Sequence, residues 1–249
     1  MRTSSRTNGG DEHSTSTASL MSDNHPPHRN DGRPLRGTLL TDPTWLSDRI
    51  TDTGRRWDCA NARINATLWW YSASSTFIAH PIEALLTTRR APAPHLHQLR
   101  FTLRGNGYLA TTHSSGTVDG AERYSHALVG AYADIITPLA AISGAAPRAL
   151  WAIASDSVAN RALDAGTALN RIPDACTLAA ALCRPPFIRP RFTTTPPTTS
   201  AETSRQPSGT PIIRRTSCCL IYQTTGGDKC TSCPRRPRQP VRSGRPAAT

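Results

Sequence analysis

The sequence predicts a mainly α fold with a small β-hairpin, an α+β domain, followed by a small C-terminal cysteine module. Three observations predict it. Apolar residues recur at helical spacing in five separate stretches between Thr41 and Pro186. One stretch between them alternates instead, around a Gly-Asn-Gly turn. Four of the seven cysteines then crowd into Ser217–Cys233, "SCCLIYQTTGGDKCTSC".

Residues 1–40 hold Leu20, Met21, Leu35, Leu39 and Leu40 as their large apolar residues, among Ser, Thr, Asn, Gly, His and Pro. That is too little apolar surface to offset the entropy of ordering, so disorder is expected there. A helical domain is expected over residues 41–187. Thr41 or Asp42 caps its first helix, with Pro43 in the first turn, and Trp45, Leu46, Ile50 and Trp57 follow near helical spacing. The run "NARINATLWWYSASSTFIAHPIEALLTTRR" predicts a long helix, bent or broken before Pro81. Leu99, Phe101 and Leu103 alternate up to Gly105-Asn106-Gly107, and Tyr108 and Leu109 follow, which predicts a hairpin. Tyr124, Leu128, Tyr132, Ile135 and Leu139 give a helix over Gly120–Ser143, stopped by Gly144. "PRALWAIASDSVANRALDAG" predicts a helix from Pro147 to Gly166, and "IPDACTLAAALCRPP" a short last one ended by Pro185 and Pro186. Residues 188–210 read as a Pro/Thr/Ser linker, 211–236 as the cysteine module and 237–249 as a disordered basic tail.

Hydrophobic residues make up 37 % of the 249-residue chain and prolines number 21, so part of it is expected to stay unpacked. A formal charge of +12 favours anionic partners. No run of about 18 consecutive apolar residues, the length of a membrane span, occurs. The N-terminal stretch has no apolar run of the kind a secretory leader needs, so a cytoplasmic location is expected. There, cysteines serve as thiols or metal ligands rather than disulfides, and the sequon Asn65-Ala66-Thr67 carries no meaning.

Three readings of Cys218, Cys219, Cys230 and Cys233 compete. A four-thiolate zinc site normally offers two Cys-x2-Cys knuckles. Cys230 and Cys233 form one, but the adjacent Cys218 and Cys219 point apart in most backbone conformations and strain toward a single ion. A pair of disulfides runs against the compartment. A [2Fe–2S] centre spreads four thiolates over two irons and has more ways to use adjacent sulfurs, although the spacing here follows neither common ferredoxin pattern.

The stretch "RRTSCCLIYQTTGGDKCTSC" resembles the C-terminal signature of the FhuF-like ferric-siderophore reductases: basic residues, Cys-Cys, an aromatic stretch with glycines, then Cys-x2-Cys. The segment "PRALWAIASDSVANRAL" is similar to a helix of that family that commonly opens Leu-Trp-x-Asn-x-Ala-Ser. Leu150 and Trp151 match, Ile153 stands where Asn is usual, and Ala154-Ser155 come one residue early. The likeness spans Thr41 to Cys233; the linker before Pro211 and the tail after Pro234 depart from the family. The resemblance implies a [2Fe–2S] cluster on Cys218, Cys219, Cys230 and Cys233 and one-electron reduction of a ferric siderophore that releases ferrous iron.

Oxidised, such a cluster with four thiolates carries a charge of −2, and one electron makes it −3. Arg214, Arg215, Lys229, Arg235 and Arg236 lie near the ligands in sequence and favour the reduced state, unless they are simply solvated arginines of a basic protein. No G-x-G-x-x-G dinucleotide fingerprint occurs, so electrons are expected from a ferredoxin or a flavoprotein reductase. The rival expectation is a non-enzymatic four-cysteine zinc module whose basic tail contacts nucleic acid or a protein.

Other features are set aside. His95 and His97 share one face of an expected strand and read as surface histidines. Of Trp69, Trp70 and Tyr71, at least two are expected in the core. Cys59, Cys176 and Cys183 read as buried thiols. The tail is expected to stay solvated, with no nucleic-acid partner.

Overall fold

A computed structural model describes residues 32–194, 211–230 and 233–236 of the chain. Helix α1 (Pro43–Arg56) starts where Asp42 accepts a hydrogen bond from the Trp45 N–H at 2.9 Å. Helix α2 (Ala62–Thr88) starts on Asn61, whose side-chain oxygen accepts from the N–H groups of Arg63 and Ile64. Both caps satisfy amides that the first helical turn leaves open. Helix α3 (Ala121–Ser143) ends on Gly144 at φ 70°, a left-handed conformation that glycine adopts without penalty. Helices α4 (Pro147–Ala168) and α5 (Ile172–Leu182) complete the helical set, and a cis Pro185–Pro186 peptide lies just past α5.

Strands are short and antiparallel. β1 (Leu35–Arg36), β3 (Leu99–Leu103) and β4 (Leu109–Ser114) make one sheet; β2 (Arg90–Pro92) pairs with β5 (Thr117–Asp119); β6 (Phe192–Thr194) pairs with β7 (Pro211–Ile213). The hairpin expected from Leu99 onward is β3–β4, closed at its turn by Gly107 N–H to the Arg104 carbonyl, with a register shift beside Thr102/Leu103. The architecture is therefore mainly α with small sheets.

The core forms where α2 is sandwiched by its neighbours. Trp69, Trp70, Phe77, Ile78 and Ile82 on α2, Tyr124, Leu128, Tyr132 and Ile135 on α3, and Leu150, Ala154 and Val158 on α4 are all buried. Each large side chain removed from water here is worth about 1.5–3 kcal/mol. Tyr132 is the hub of an aromatic cluster: Trp70 meets it edge-on at 5.1 Å, Phe77 at 5.3 Å, and its hydroxyl donates to the Ser74 carbonyl. Small residues let α4 approach α2, and a Ser74–Ser157 hydroxyl contact of 2.8 Å joins the two helices.

Several expectations need correction. α2 runs unbroken through Pro81: the buried Ile78, Ile82 and Leu85 on both sides hold the helix although the ring removes one backbone hydrogen bond. α4 continues past Gly166 to Ala168. Gly166 sits in its last turn, where any β-carbon would press on Ala175 of α5. The segment 1–40 does not stay clear of the domain. Leu35 and Arg36 pair with Phe101 and Arg100, and Leu40 is 1 % exposed. The start of the 188–210 segment is likewise strand, since Phe192 pairs with Ile213. Residues 1–31, 195–210 and 237–249, which carry most of the expected disorder and linker, lie outside the described residues. Among the described residues α3 is the one helix long and apolar enough to cross a membrane by length and composition, with Tyr124, Leu128, Tyr132, Ile135 and Leu139 on it buried.

Candidate metal centre

The cysteine module begins at β7 and is pinned to the helical domain at one carboxylate. Asp156 lies in the middle of α4, 2 % exposed. Its Oδ1 accepts from the Thr216 N–H at 3.0 Å and the Thr216 hydroxyl at 3.1 Å. Its Oδ2 accepts from the Ser217 N–H at 2.9 Å and the Ser217 hydroxyl. A buried carboxylate is tolerated when its lone pairs are taken up and a cation stands near. Here the cation is Arg215, whose Nε is 3.6 Å from Asp156 Oδ2 and whose side chain is 3 % exposed. The guanidinium lies over the Tyr71 ring of α2, 4.9 Å from its centroid. A second tether runs from the Thr225 hydroxyl to the Asp58 carbonyl between α1 and α2.

The cysteines follow at once. Leu220 takes a left-handed φ of 63°, and this turn brings the Leu220 N–H to the Cys218 sulfur and the Ile221 N–H to the Cys219 sulfur. Cys219 is buried with Ile64 and Leu68 of α2 in a small apolar cluster, with Trp57, Cys59, Tyr71 and Ile221 around it. On the far side the Cys233 N–H donates to the Cys230 carbonyl at 3.0 Å, which holds the two cysteines together, and Arg236 donates to the same carbonyl from outside.

Two of the sulfurs meet. Cys218 Sγ and Cys233 Sγ are 4.0 Å apart. Two thiolates bonded to one tetrahedral ion at ~2.3 Å stand about 3.8 Å apart, so this pair already has the spacing of shared ligands. Cys219 is within electrostatic reach of Cys230, and Arg215 faces both, with its Nη1 3.5 Å from Cys230 Sγ. Among the described residues, no group of three or more His, Cys, Asp or Glu side chains is arranged to hold one metal ion.

Burial is the largest influence on the Cys218 and Cys219 thiols and pushes both above the ordinary value. The Leu220 N–H opposes it at Cys218, and the Ile221 N–H and Arg215 oppose it at Cys219. Burial also works against the Arg215 charge, but Tyr71, Cys219, Asp156 and Cys230 together outweigh it and hold that pKa above its usual value.

Residues 215–235, which contain all four of these cysteines, match the family model of the FhuF 2Fe-2S C-terminal domain. The module is of the FhuF [2Fe–2S] type. The match supports an FhuF-like assignment for this module, and the cofactor of that domain is a [2Fe–2S] cluster. No curated protein matches the chain. The module's chemistry fits the group: a pair of thiols at the spacing of shared ligands, backbone N–H donors aimed at sulfur, and two buried Arg215 nitrogens, Nε and Nη2, without a hydrogen-bond partner among the described residues.

The remaining sequence candidates are dispersed. His95 and His97 stand in the turn before β3 rather than on a strand; their rings stack at 5.7 Å and both are exposed. Trp69, Trp70 and Trp151 are buried in the core, so they present no face to a ligand, whereas Tyr71 reaches the module. Of the three other cysteines only Cys183 is buried; Cys59 and Cys176 are half-buried. Burial pushes the Cys183 thiol up to about 12, with Asp156 adding to it. Among the five nearby cations Arg215 alone is buried, while Arg214, Lys229, Arg235 and Arg236 are exposed. Sequence reasoning missed Asp156. The available signal was that Asp156 is the single charged residue between Arg148 and Arg161, in a helix otherwise suited to a core.

Proposed function

We propose that the chain is a [2Fe–2S] oxidoreductase that reduces ferric siderophores and releases ferrous iron in the cytoplasm. Cys218, Cys219, Cys230 and Cys233 would hold the cluster, and no other side chain is assigned a catalytic role. The observation that carries the reading is the 4.0 Å spacing of the Cys218 and Cys233 sulfurs within the segment that matches the FhuF [2Fe–2S] domain. A bound [2Fe–2S] cluster supplies one-electron capacity, which equals the difference between a ferric and a ferrous chelate.

The chain's own residues do the rest. Asp156 fixes the cysteine-bearing turn against α4, and the Ile64–Leu68 face of α2 keeps water from Cys219. Tyr222 organises the exposed rim: Arg235 donates to its hydroxyl at 2.9 Å, and Lys229 lies 5.6 Å from its ring centroid. Together with Arg214 and Arg236 these cations favour an oxygen-rich anionic ferric chelate and the acidic face of a ferredoxin or flavoprotein donor. Ferric ion is held by oxygen ligands far more tightly than ferrous ion, so reduction itself frees the metal and needs no nucleophile or proton donor.

The test is anaerobic purification with iron and sulfide analysis. The reduced protein is then mixed with hydroxamate, catecholate and citrate-type ferric complexes and a ferrous chelator. Two irons and two sulfides per chain, rapid reoxidation by at least one class and stoichiometric ferrous capture support the reading. A colourless protein containing zinc overturns it. A cluster that stays reduced with every complex makes the chain an electron carrier instead.

A further inference from the structure

We infer that Arg215 is the positioning residue that sets the reduction potential of the centre, acting as a buried, fixed-charge donor held in place by Asp156 and Tyr71. The inference rests on the [2Fe–2S] reading above and adds a role that the ligand set does not contain. Arginine carries five N–H donors in a rigid fork and keeps its charge. Burying it is costly unless the fork is satisfied. In this structure the fork is only partly satisfied. Nη1 donates to Cys230 Sγ at 3.5 Å, and Nε stands 3.6 Å from Asp156 Oδ2, beyond hydrogen-bond length. Among the described residues, Nε and Nη2 are buried without an accepting atom. Each oxygen of Asp156 already receives two hydrogen bonds from Thr216 and Ser217, so the carboxylate compensates the charge without taking up the fork. The Tyr71 ring covers one face of the guanidinium and offers no further acceptor there.

What such a fork lacks among the described residues is acceptors, and its sulfur hydrogen bond is to a cysteine of the centre. Hydrogen bonds and positive charge at cluster sulfurs stabilise the more negative, reduced state. The four exposed cations around the module act through water and are screened. Arg215 is 3 % exposed and is not. Position in the fold therefore separates one arginine from four neighbours that look equivalent in sequence.

The experiment is anaerobic redox potentiometry on the cluster-loaded full chain, comparing wild type with R215Q, R215K and R214Q. R214Q removes the same formal charge from an exposed neighbour and is the control for charge alone. Loss of the donor in R215Q is expected to cut the reduced-to-oxidised ratio at a fixed potential about tenfold, which for one electron is a downward shift of about 59 mV. R215K keeps the charge but loses the fork, and is expected to fall between R215Q and wild type. R214Q is expected to move less than half as far as R215Q. Where R215Q fails to retain iron and sulfide, R215K decides: a lowered potential supports the inference and an unchanged one overturns it. An intact R215Q cluster at the wild-type potential, or an R214Q shift equal to that of R215Q, also overturns it while leaving the cluster reading intact. Wild-type protein without iron and sulfide overturns both.

Discussion

Asp156 and Ser217 join the two parts of this protein: one carboxylate oxygen in mid-α4 accepts from both the backbone N–H and the hydroxyl of Ser217, one residue before the first cysteine of the pair. The cysteine turn is thereby positioned by a residue 61 places earlier in the chain. Replacing Asp156 with Ala leaves Arg215 buried without its counter-charge and four donors without an acceptor. The expected cost is about 3–5 kcal/mol. Urea unfolding of the variant should show it, together with loss of most bound iron. A variant with wild-type stability and full iron content would show that the anchor is dispensable.

Single Ser replacements of Cys218, Cys219, Cys230 and Cys233 are each expected to abolish or badly destabilise the cluster, read from visible absorbance and iron content. Replacements of Cys59, Cys176 and Cys183 are expected to leave the spectrum nearly intact. Cys59 is the stringent control, because it packs against the same apolar group as Cys219. Bleaching by Cys176→Ser with an intact Cys218→Ser spectrum would reverse the ligand assignment.

The Cys183 thiol gives a pH signature. In the unfolded chain it ionises near its ordinary value of 9.0, and in the folded chain near 12. The native state therefore holds the neutral form longer than the unfolded state does. Its contribution to stability is complete below about pH 9 and is lost progressively as the pH rises toward 12. Iodoacetamide at pH 9 is expected to modify Cys183 rapidly in urea and scarcely in the native protein. Equal rates in the two conditions would contradict the burial.

Electron delivery is expected to depend on ionic strength. With Arg214, Lys229, Arg235 and Arg236 exposed around the module, the second-order rate with an acidic ferredoxin should fall by roughly tenfold between low and high salt. Stopped-flow mixing measures it. A rate indifferent to salt would remove the rim from the encounter.

Truncation tests the N-terminal boundary. Removing residues 1–38 deletes β1 and Gly37, whose backbone sits against the Leu96 carbonyl and Leu99. A melting temperature lower by several degrees is expected, since a change of about 1 kcal/mol moves a domain of this size by ~2–4 °C. Unchanged melting would return the whole segment to its expected disorder.

Much of this was legible because it is local. Asp42 before Pro43, Gly144 after Ser143 and Gly105-Asn106-Gly107 between alternating residues act within a few positions of the element they punctuate. So does the Cys-Cys and Cys-x2-Cys spacing. What was illegible depends on distant partners. Pro81 ends a helix by local rules, yet α2 is kept continuous through it by packing on α3 and α4. Leu35 is an isolated leucine until Phe101 supplies its strand partner. Arg215 reads like Arg214 until Asp156 and Tyr71, far off in sequence, close around it.

The β6–β7 pairing has a further consequence. Thr194 lies opposite Pro211, so the two ends flanking the 16 residues from 195 to 210 are held side by side. Loop-closure entropy grows only slowly with length, about 0.6 kcal/mol per doubling. A cut between Thr194 and Pro211 leaves the partners of the strand pair on two polypeptides. The strand pair, the carboxylate anchor and the Thr225–Asp58 bond all survive it. A clipped molecule should travel as one particle in a native gel and as two bands once denatured.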